Sequence, residues 1–182
     1  MKKHRVVLIL IALALVAVGV AGCRSRTDRS EGTVLLSVSD FSGLPVSISL
    51  RTGGPFQIDR VTLRNIAKDP TGSTSDLQAV ELRSYEVRFR RRDTGTRLPP
   101  PAVQSIFGVV TVNGSKDIVN VPFLFSDQIL SQPLKDLRDF GVDRETGTAV
   151  IVLDVSLTFF GRTLSGDDIA TAPVTFTLEV RP

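Results

Sequence analysis

Several residue types that serve in catalysis and metal binding are missing from most of this chain. The sequence has no tryptophan and only one cysteine, one histidine and one methionine, and these are Cys23, His4 and Met1. Ser–His–Asp and Cys–His catalysis need a histidine, and zinc, copper and haem sites usually need His, Cys or Met ligands. Carboxylate chemistry and oxygen-ligand calcium sites remain open beyond Cys23. We therefore expect a protein that is not an enzyme and has no cofactor.

The first 22 residues follow the three-part pattern of an export signal. Lys2, Lys3 and Arg5 give a positively charged start, and an apolar run covers residues 6–20. At about 1.5 Å per residue this run forms a helix of roughly 22 Å, which is shorter than a bilayer core of about 30 Å. The length favours a cleaved signal peptide over a permanent membrane span.

The end of this segment, Val20-Ala21-Gly22-Cys23, resembles the bacterial lipobox. The resemblance implies cleavage just before Cys23 and attachment of diacylglycerol to its thiol. Two or more acyl chains anchor a protein stably to a membrane, whereas one chain binds only marginally. An incidental Cys23 and an uncleaved anchor are the alternatives. The joint occurrence of the charged start, the apolar run, the small residues and the single cysteine argues against both.

Arg24 follows the lipobox, and no aspartate stands at that position. By the sorting rule of the better-studied Gram-negative bacteria, this resembles an outer-membrane lipoprotein. We therefore expect a protein of the bacterial cell envelope that faces the periplasm. We expect the protein to be attached to the membrane through the lipid on Cys23.

The overall basic balance comes from the signal peptide. The full chain has 22 basic and 19 acidic residues, and three of the basic ones precede residue 23. The remaining chain is close to neutral, which argues against a nucleic-acid partner. Residues 23–32 are polar after the cysteine and predict a flexible tether. Residues 33–182 are long enough for one domain with a single core.

Beyond the tether, apolar residues recur with a period of two, which predicts half-buried β-strands. The alternation is clearest at residues 149–160 and 172–182. Further strands are predicted at residues 33–40, 45–50, 58–66, 80–91, 105–112 and 118–125. One helix is predicted over residues 127–140, with Ile129, Leu130, Leu134, Leu137 and Phe140 along one face.

Three local features refine this pattern. The alternation changes phase within residues 80–91, so we expect a bulge near Ser84. Asn113-Gly114 between two apolar runs predicts a hairpin. Pro122 within a strand predicts an edge position, because proline cannot donate a hydrogen bond to a neighbouring strand.

Seven or eight short strands with regular turns predict an all-β fold, an antiparallel sandwich of the immunoglobulin-like kind. The ending FFGRTLSGDDIATAPVTFTLEV resembles the final hairpin of bacterial immunoglobulin-like modules. The whole chain is similar to uncharacterised predicted lipoproteins with a single such domain. That resemblance carries over no catalytic residue.

An arginine-rich strand provides the first candidate site. On a strand, Arg88, Arg90 and Arg92 share one face with Glu86. A row of guanidinium groups could bind lipid phosphates or an acidic glycan, because each offers a planar fork of donors. The alternative is a solvated strand face whose arginines pair with acids on the neighbouring strand.

Loop acids provide the second candidate site. The segment DFGVDRETG contains three of them, Asp139, Asp143 and Glu145. Carboxylates spaced along a loop can hold calcium, which takes six to eight oxygen ligands. Gly141 and Val142 stand where an EF-hand would need ligands, so the calcium hypothesis is weak. Asp167-Asp168 predicts a turn or the start of a crossing strand.

We expect a non-enzymatic binding or scaffolding module at the envelope, with an unidentified protein partner. The surfaces predicted for binding are the strand edge at Pro122 and the loops 94–101 and 161–169. A carboxylate- or calcium-dependent glycan hydrolase or binder is the first alternative. It predicts a single cleft with raised pKa values that holds Asp139, Asp143, Asp167 and Asp168. The second alternative, an outer-membrane assembly chaperone, predicts an exposed apolar groove or a free edge strand.

Overall fold

The computed structural model describes residues 32–52 and 56–182. The predicted signal peptide, the lipobox with Cys23 and the tether up to residue 31 lie outside the described residues. All the strands and helices described below belong to the predicted domain, residues 33–182.

Alternation of apolar and polar residues builds nine strands within the described residues, because successive side chains of a strand point to opposite faces. A 3-10 turn at Asp76–Gln78 and two short helices complete the elements. The strands are β1 Val34–Ser42, β2 Ser47–Ser49, β3 Gln57–Ala67, β4 Val80–Arg91, β5 Ala102–Val110, β6 Ser115–Pro122, β7 Ile151–Thr163, β8 Asp168–Ala170 and β9 Val174–Arg181, and the helices are α1 Ser126–Ile129 and α2 Leu134–Phe140.

The strands form two sheets. Sheet A has the order β1-β3-β6, and sheet B has the order β2-β9-β7-β4-β5, with β8 paired to the second half of β7. Sheet B curls into a half-barrel. The predicted all-β class is confirmed. The pairing departs from a purely antiparallel arrangement at one place, because β2 runs parallel to β9.

One continuous core lies between the sheets. Along β7, every second residue is fully buried: Ile151, Leu153, Val155, Leu157 and Phe159. β4 runs beside β7 over its whole length and adds Val80, Leu82, Tyr85 and Val87. Sheet A contributes Ile58, Val61 and Leu63 from its central strand β3. The period-two pattern in the sequence therefore marks the core faces of both sheets.

Two polar side chains link the sheets across this core. The hydroxyl of Tyr85 on β4 donates to the carbonyl of Pro122 on β6 over 2.7 Å. The amide nitrogen of Asn65 on β3 donates to the carbonyl of Val110 at the end of β5 over 3.2 Å. Buried polar groups need such partners, since an unpaired one costs about 1–3 kcal/mol. Each sheet therefore holds the other through a directional contact as well as through packing.

Two of the local predictions are confirmed. The register of β4 against both β5 and β7 shifts between Leu82 and Ser84, where the phase change predicted a bulge. Pro122 ends β6, which pairs only with β3 among the described residues and is an edge strand of sheet A.

The prediction of a hairpin at Asn113-Gly114 is wrong. β5 pairs with β4 in sheet B, whereas β6 pairs with β3 in sheet A, so the turn carries the chain from one sheet to the other. Asn113 adopts a left-handed conformation with φ 55°, which asparagine tolerates well. The turn chemistry was therefore correctly predicted, but the pairing of its flanking strands was not.

The single helix predicted over residues 127–140 is replaced by two short helices. Pro133 lies between them and directly precedes α2. It lacks the N–H that a continuous helix would require at that position. Leu134 and Leu137 are buried as predicted and Ile129 packs against the core, but Leu130 and Phe140 are exposed. No helix in the described part of the chain is long and apolar enough to cross a bilayer.

Candidate functional site

The predicted arginine face lies on the outer side of sheet B. Arg88 and Arg90 alternate with buried residues of β4, Arg92 directly follows that strand, and all three are exposed. A groove of about 370 Å³ runs along this face between β4, β7 and the start of β9. We call it the arginine groove, and it is lined by Glu86, Arg88, Phe89, Arg90, Ser156, Thr158 and Pro173.

The three arginines differ in their partners. Arg88 Nε lies 2.9 Å from Glu86 Oε1, and Arg92 Nε lies 3.6 Å from Asp154 Oδ2. Arg90 lies between them, and its side chain forms no hydrogen bond or ion pair with any residue that the structure describes. A solvated face paired with acids thus accounts for Arg88 and Arg92. It does not account for Arg90, whose donors are free to bind an anion.

Arg91 occupies the opposite face of the same strand and is buried. Its side chain is only 2% exposed and meets the carboxylates of Asp93, Asp143 and Glu145. Nη2 lies 2.8 Å from Asp143 Oδ2, and Nη1 lies 3.6 Å from Glu145 Oε2. We call these four residues the Arg91 cluster. Gly95 packs so closely on the guanidinium that an added Cβ would lie 2.1 Å from Arg91 Cζ.

Electrostatics keep the cluster ionised. Hydrogen bonds from Arg91 hold the pKa of Asp93 below its usual value. Burial acts to raise the pKa of Asp143, but hydrogen bonds from Arg91, Thr146 and the main chain outweigh it and lower that pKa. The pKa of Glu145 is lowered first by its hydrogen bond from Thr96. Carboxylates with lowered pKa values are poor proton donors, so the cluster is not suited to acid catalysis.

The cluster also fixes loop 94–101, which we expected to be available for binding. The main-chain N–H groups of Thr96 and Arg97 donate to the carboxylate of Glu145 over 2.8 and 3.0 Å. The side chain of the buried Gln128 donates to the carbonyl of Pro100 over 2.8 Å. This loop is therefore held on both sides by the fold.

The acids considered for calcium do not form a metal site. Asp143 and Glu145 surround the guanidinium of Arg91, while Asp139 accepts a hydrogen bond from Arg138. Among the described residues, no group of three or more His, Cys, Asp or Glu side chains could hold a metal ion. The arginine already supplies the positive charge that a bound cation would bring.

The single cleft expected for a glycan hydrolase is also not formed. Asp167 accepts a hydrogen bond from Ser165 and contacts Thr163, whose register partner is Val80 at the start of β4. Asp143 contacts Arg91 at the other end of that strand. The eleven steps between the 12 residues of β4, at about 3.3 Å each, separate the two ends by roughly 35 Å. The pKa values of Asp139 and Asp143 are lowered, whereas the hydrolase prediction required raised ones.

A free sheet edge is present, at a strand that the sequence did not single out. β5 pairs with β4 on one side and with no strand on the other among the described residues. Its outward side chains include Val103, Phe107 and Val109, which are 67%, 89% and 49% exposed. This is the type of surface that the chaperone alternative predicted.

Arg91 is the residue of this region that the sequence-based prediction missed. Arg88, Arg90 and Arg92 were singled out as the shared face, and Arg91 was given no role of its own. The alternation of side chains along the strand could have revealed its burial, since Arg91 lies on the same face as the buried Val87 and Phe89. A charged residue on a core face needs buried partners of opposite charge.

Comparison with known proteins assigns no family. No family model and no curated protein matches the chain. A solution structure of a protein provisionally classed as late embryogenesis abundant (LEA) matches with a TM-score of 0.40 and 14% identity, covering 99% of this chain and 86% of that one. A likeness at this level supports no conclusion about function.

Proposed function

We propose that this chain is a bacterial envelope lipoprotein, anchored through acylated Cys23, whose domain is a binding module and not an enzyme. The anchor is supported by the lipobox Val20-Ala21-Gly22-Cys23 and by the charged and apolar segments before it. Within the domain we propose that the two packed sheets form an immunoglobulin-like sandwich. The position of Arg24 after the cysteine supports the outer membrane as its location.

The observation that supports the binding role is the guanidinium of Arg90 in the arginine groove, which has no partner among the described residues. Arg88 and Arg90 stand in the groove with the hydroxyls of Ser156 and Thr158. Planar guanidinium forks and hydroxyl donors suit the oxygens of a phosphate or a carboxylate. We therefore propose that the groove binds an anionic group of the envelope, such as a lipid phosphate or an acidic glycan.

The anchor is tested by replacing Cys23 with Ser in cells that express the full chain. Labelling with a radioactive or clickable fatty acid should be lost, and the signal peptide should remain attached. A variant that is still labelled, or still cleaved before residue 23, would refute the lipoprotein assignment. Replacing Arg24 with Asp in the same cells tests the location, because the sorting rule then predicts retention in the inner membrane.

The groove is tested with Arg90→Ala in the full chain. Hydrogen exchange of the main-chain amides is measured in the presence of vesicles. One set of vesicles contains an anionic phospholipid, and the other consists of zwitterionic lipid alone. We expect protection of β4 only with anionic vesicles, and loss of that protection in the variant. Arg83→Ala is the matched control, since Arg83 is an exposed arginine of the same strand that pairs with Glu81 outside the groove.

Cross-linking in intact cells then distinguishes the ligand classes. Co-purified lipid or glycan attached near β4 would support the groove. A reproducible protein partner cross-linked at another surface, with Arg90→Ala unaffected, would remove the groove from the proposal and leave the anchored binding module in place.

A further inference from the structure

We propose that β5 pairs antiparallel with β5 of a second copy of this chain, so that two copies of sheet B become one continuous sheet. This inference goes beyond the proposed function and does not rest on it. It starts from the free edge of β5, where alternate residues turn their N–H and C=O groups outward. Such groups match another strand, and neither a lipid surface nor a helix offers the same row of hydrogen bonds.

β5 is the least protected of the sheet edges in the described part of the chain. Edge strands are usually guarded by short length, charge, proline or a bulge. β2 has three residues, β1 carries Asp40 beside a register shift, and β6 carries Lys116, Asp117 and Pro122. β5 has nine residues and no proline, and residues 98–115 contain no charged side chain. Its one protection is a bulge between Ser105 and Gly108, where its register against β4 shifts. A long, uncharged, apolar edge of this kind tends to pair with another strand.

The sequence of β5 makes a second copy a suitable cover. β5 spans Ala102–Val110, so antiparallel pairing of the segments on either side of its bulge is centred on Ile106. Val103 then lies opposite Val109 of the other copy, and each such pair occurs twice by symmetry. No charge is brought against a like charge, which would destabilise a sheet. The apolar side chains that each copy exposes are covered by the same side chains of the other.

The size of the edge sets the expected strength of this pairing. Nine residues span about 30 Å, and a side-chain depth of roughly 10 Å gives about 300 Å² per copy. The pair then buries on the order of 600 Å² in total, below the ~1,200 Å² of stable complexes. We therefore expect a weak, concentration-dependent dimer.

Sedimentation of the full chain in detergent, from micromolar to millimolar concentration, tests the pairing. The dimer fraction should rise over this range. Val103→Lys and Val109→Glu should each raise the dissociation constant at least tenfold, because each sets an unpaired charge against a valine. Val119→Lys is the matched control, since Val119 is 63% exposed on β6, the edge strand of the other sheet. It should leave the dimer unchanged.

Mixing the two β5 variants tests the register. In an equimolar mixture, Lys at position 103 of one copy faces Glu at position 109 of the other, and the second pair remains Val103 with Val109. The mixed dimer should therefore be restored to within a few-fold of the original affinity. Phe107→Ser gives a milder disruption for the case that a charged variant fails to fold, which circular dichroism would reveal.

Three outcomes would overturn the proposal. A monomer at every concentration would remove the pairing. A dimer that Val119→Lys disrupts and the β5 variants do not would place the contact on β6. Failure of the mixture to recover would exclude the pairing centred on Ile106.

Discussion

Arg91 sets the structure of one end of the domain through its charge. A buried guanidinium is costly unless acids and hydrogen bonds surround it. Asp93, Asp143 and Glu145 provide that surrounding from two separate loops, and they are thereby drawn to the end of β4. Nη1 of Arg91 is the one nitrogen of this guanidinium without a hydrogen-bond partner in the described part of the chain. The contacts therefore hold the loops together more than they offer a reactive group.

Removal of one acid from the Arg91 cluster should destabilise the domain strongly. Asp143→Ala leaves a buried guanidinium without its closest buried partner, so we expect the free energy of unfolding to fall by about 3 kcal/mol. Asp139→Ala is the matched control, because its partner Arg138 is partly exposed and such pairs contribute about 0–1 kcal/mol. Urea unfolding measures both variants. Equal losses in the two would show that the buried cluster has no special role.

The close approach of β4 and β7 depends on a glycine. A Cβ added to Gly161 would lie 2.7 Å from the carbonyl oxygen of Glu81 and 2.7 Å from Cγ1 of Val80. Both neighbours belong to β4, and neither can move without disturbing the longest strand pairing of sheet B. A single residue, Gly161, therefore determines how closely β4 and β7 can pair.

Gly161→Ala should accordingly lower the free energy of unfolding by about 2 kcal/mol, as overpacking of a close contact does. Gly108→Ala in β5 is the control, since its added Cβ would meet nothing closer than 3.7 Å. We expect that control to stay within about 0.5 kcal/mol of the original chain. The comparison by urea unfolding would contradict the prediction if Gly108→Ala were the more damaging change.

The sequence predicted those elements whose signal is contained in the strand itself. β4 was predicted with the observed bounds, Val80–Arg91, and its bulge was predicted from the phase change near Ser84. The start of β5 was missed, because Val103, Ser105 and Phe107 share an outer face that is half apolar and exposed. The partner of each strand was not predictable, since turn chemistry at Asn113 fixes a reversal and not the sheet that the chain enters.

The candidate site, too, could be predicted from the sequence only in part. The shared face of Arg88, Arg90 and Arg92 follows from alternation alone. That the side chain of Arg90 has no partner among the described residues does not follow from alternation. It depends on which acids of β7 lie opposite Arg90, and Asp154 of β7 is engaged by Arg92 and Thr177. The Arg91 cluster joins Arg91 to Asp143, 52 positions further along the chain, and such contacts exist only once the loops are folded.

Acid should destabilise the whole domain over a defined range of pH. The pKa values of Asp93, Asp143 and Glu145 are lowered in the folded state. A carboxylate of this kind adds stability above its unfolded pKa of about 4 and loses it as the pH falls through the lower, folded value. We expect melting temperatures to stay level from about pH 7 to 5 and to fall below about pH 4.5.

The matched variant for acid is the double change Asp93→Asn and Asp143→Asn. It should melt at a lower temperature at neutral pH, because the pairs with Arg91 are weakened. Its melting temperature should fall less in acid than that of the original chain, because two of the titrating groups are gone. Parallel curves for the two proteins would mean that other carboxylates control the acid transition.

Tyr85 joins the two sheets and reports on the whole molecule at alkaline pH. Burial raises the pKa of its hydroxyl, which donates to the carbonyl of Pro122 in the opposite sheet. A group whose folded pKa is raised stabilises the protein below its unfolded value, here about 10, and loses that contribution as the pH rises toward the folded value. Stability should therefore decline above about pH 10.

The chain has one tyrosine and no tryptophan, so the ultraviolet absorbance of tyrosinate measures this group alone. We expect ionisation to appear together with the loss of β-sheet circular dichroism, in one transition, because burial raises the pKa of the hydroxyl while the sheets are packed. In urea the same tyrosine should titrate near pH 10. Tyrosinate that forms while the circular dichroism is unchanged would show that the sheets can separate at Tyr85 without unfolding. The contact with Pro122 would then be a local hydrogen bond and not part of the cooperative core.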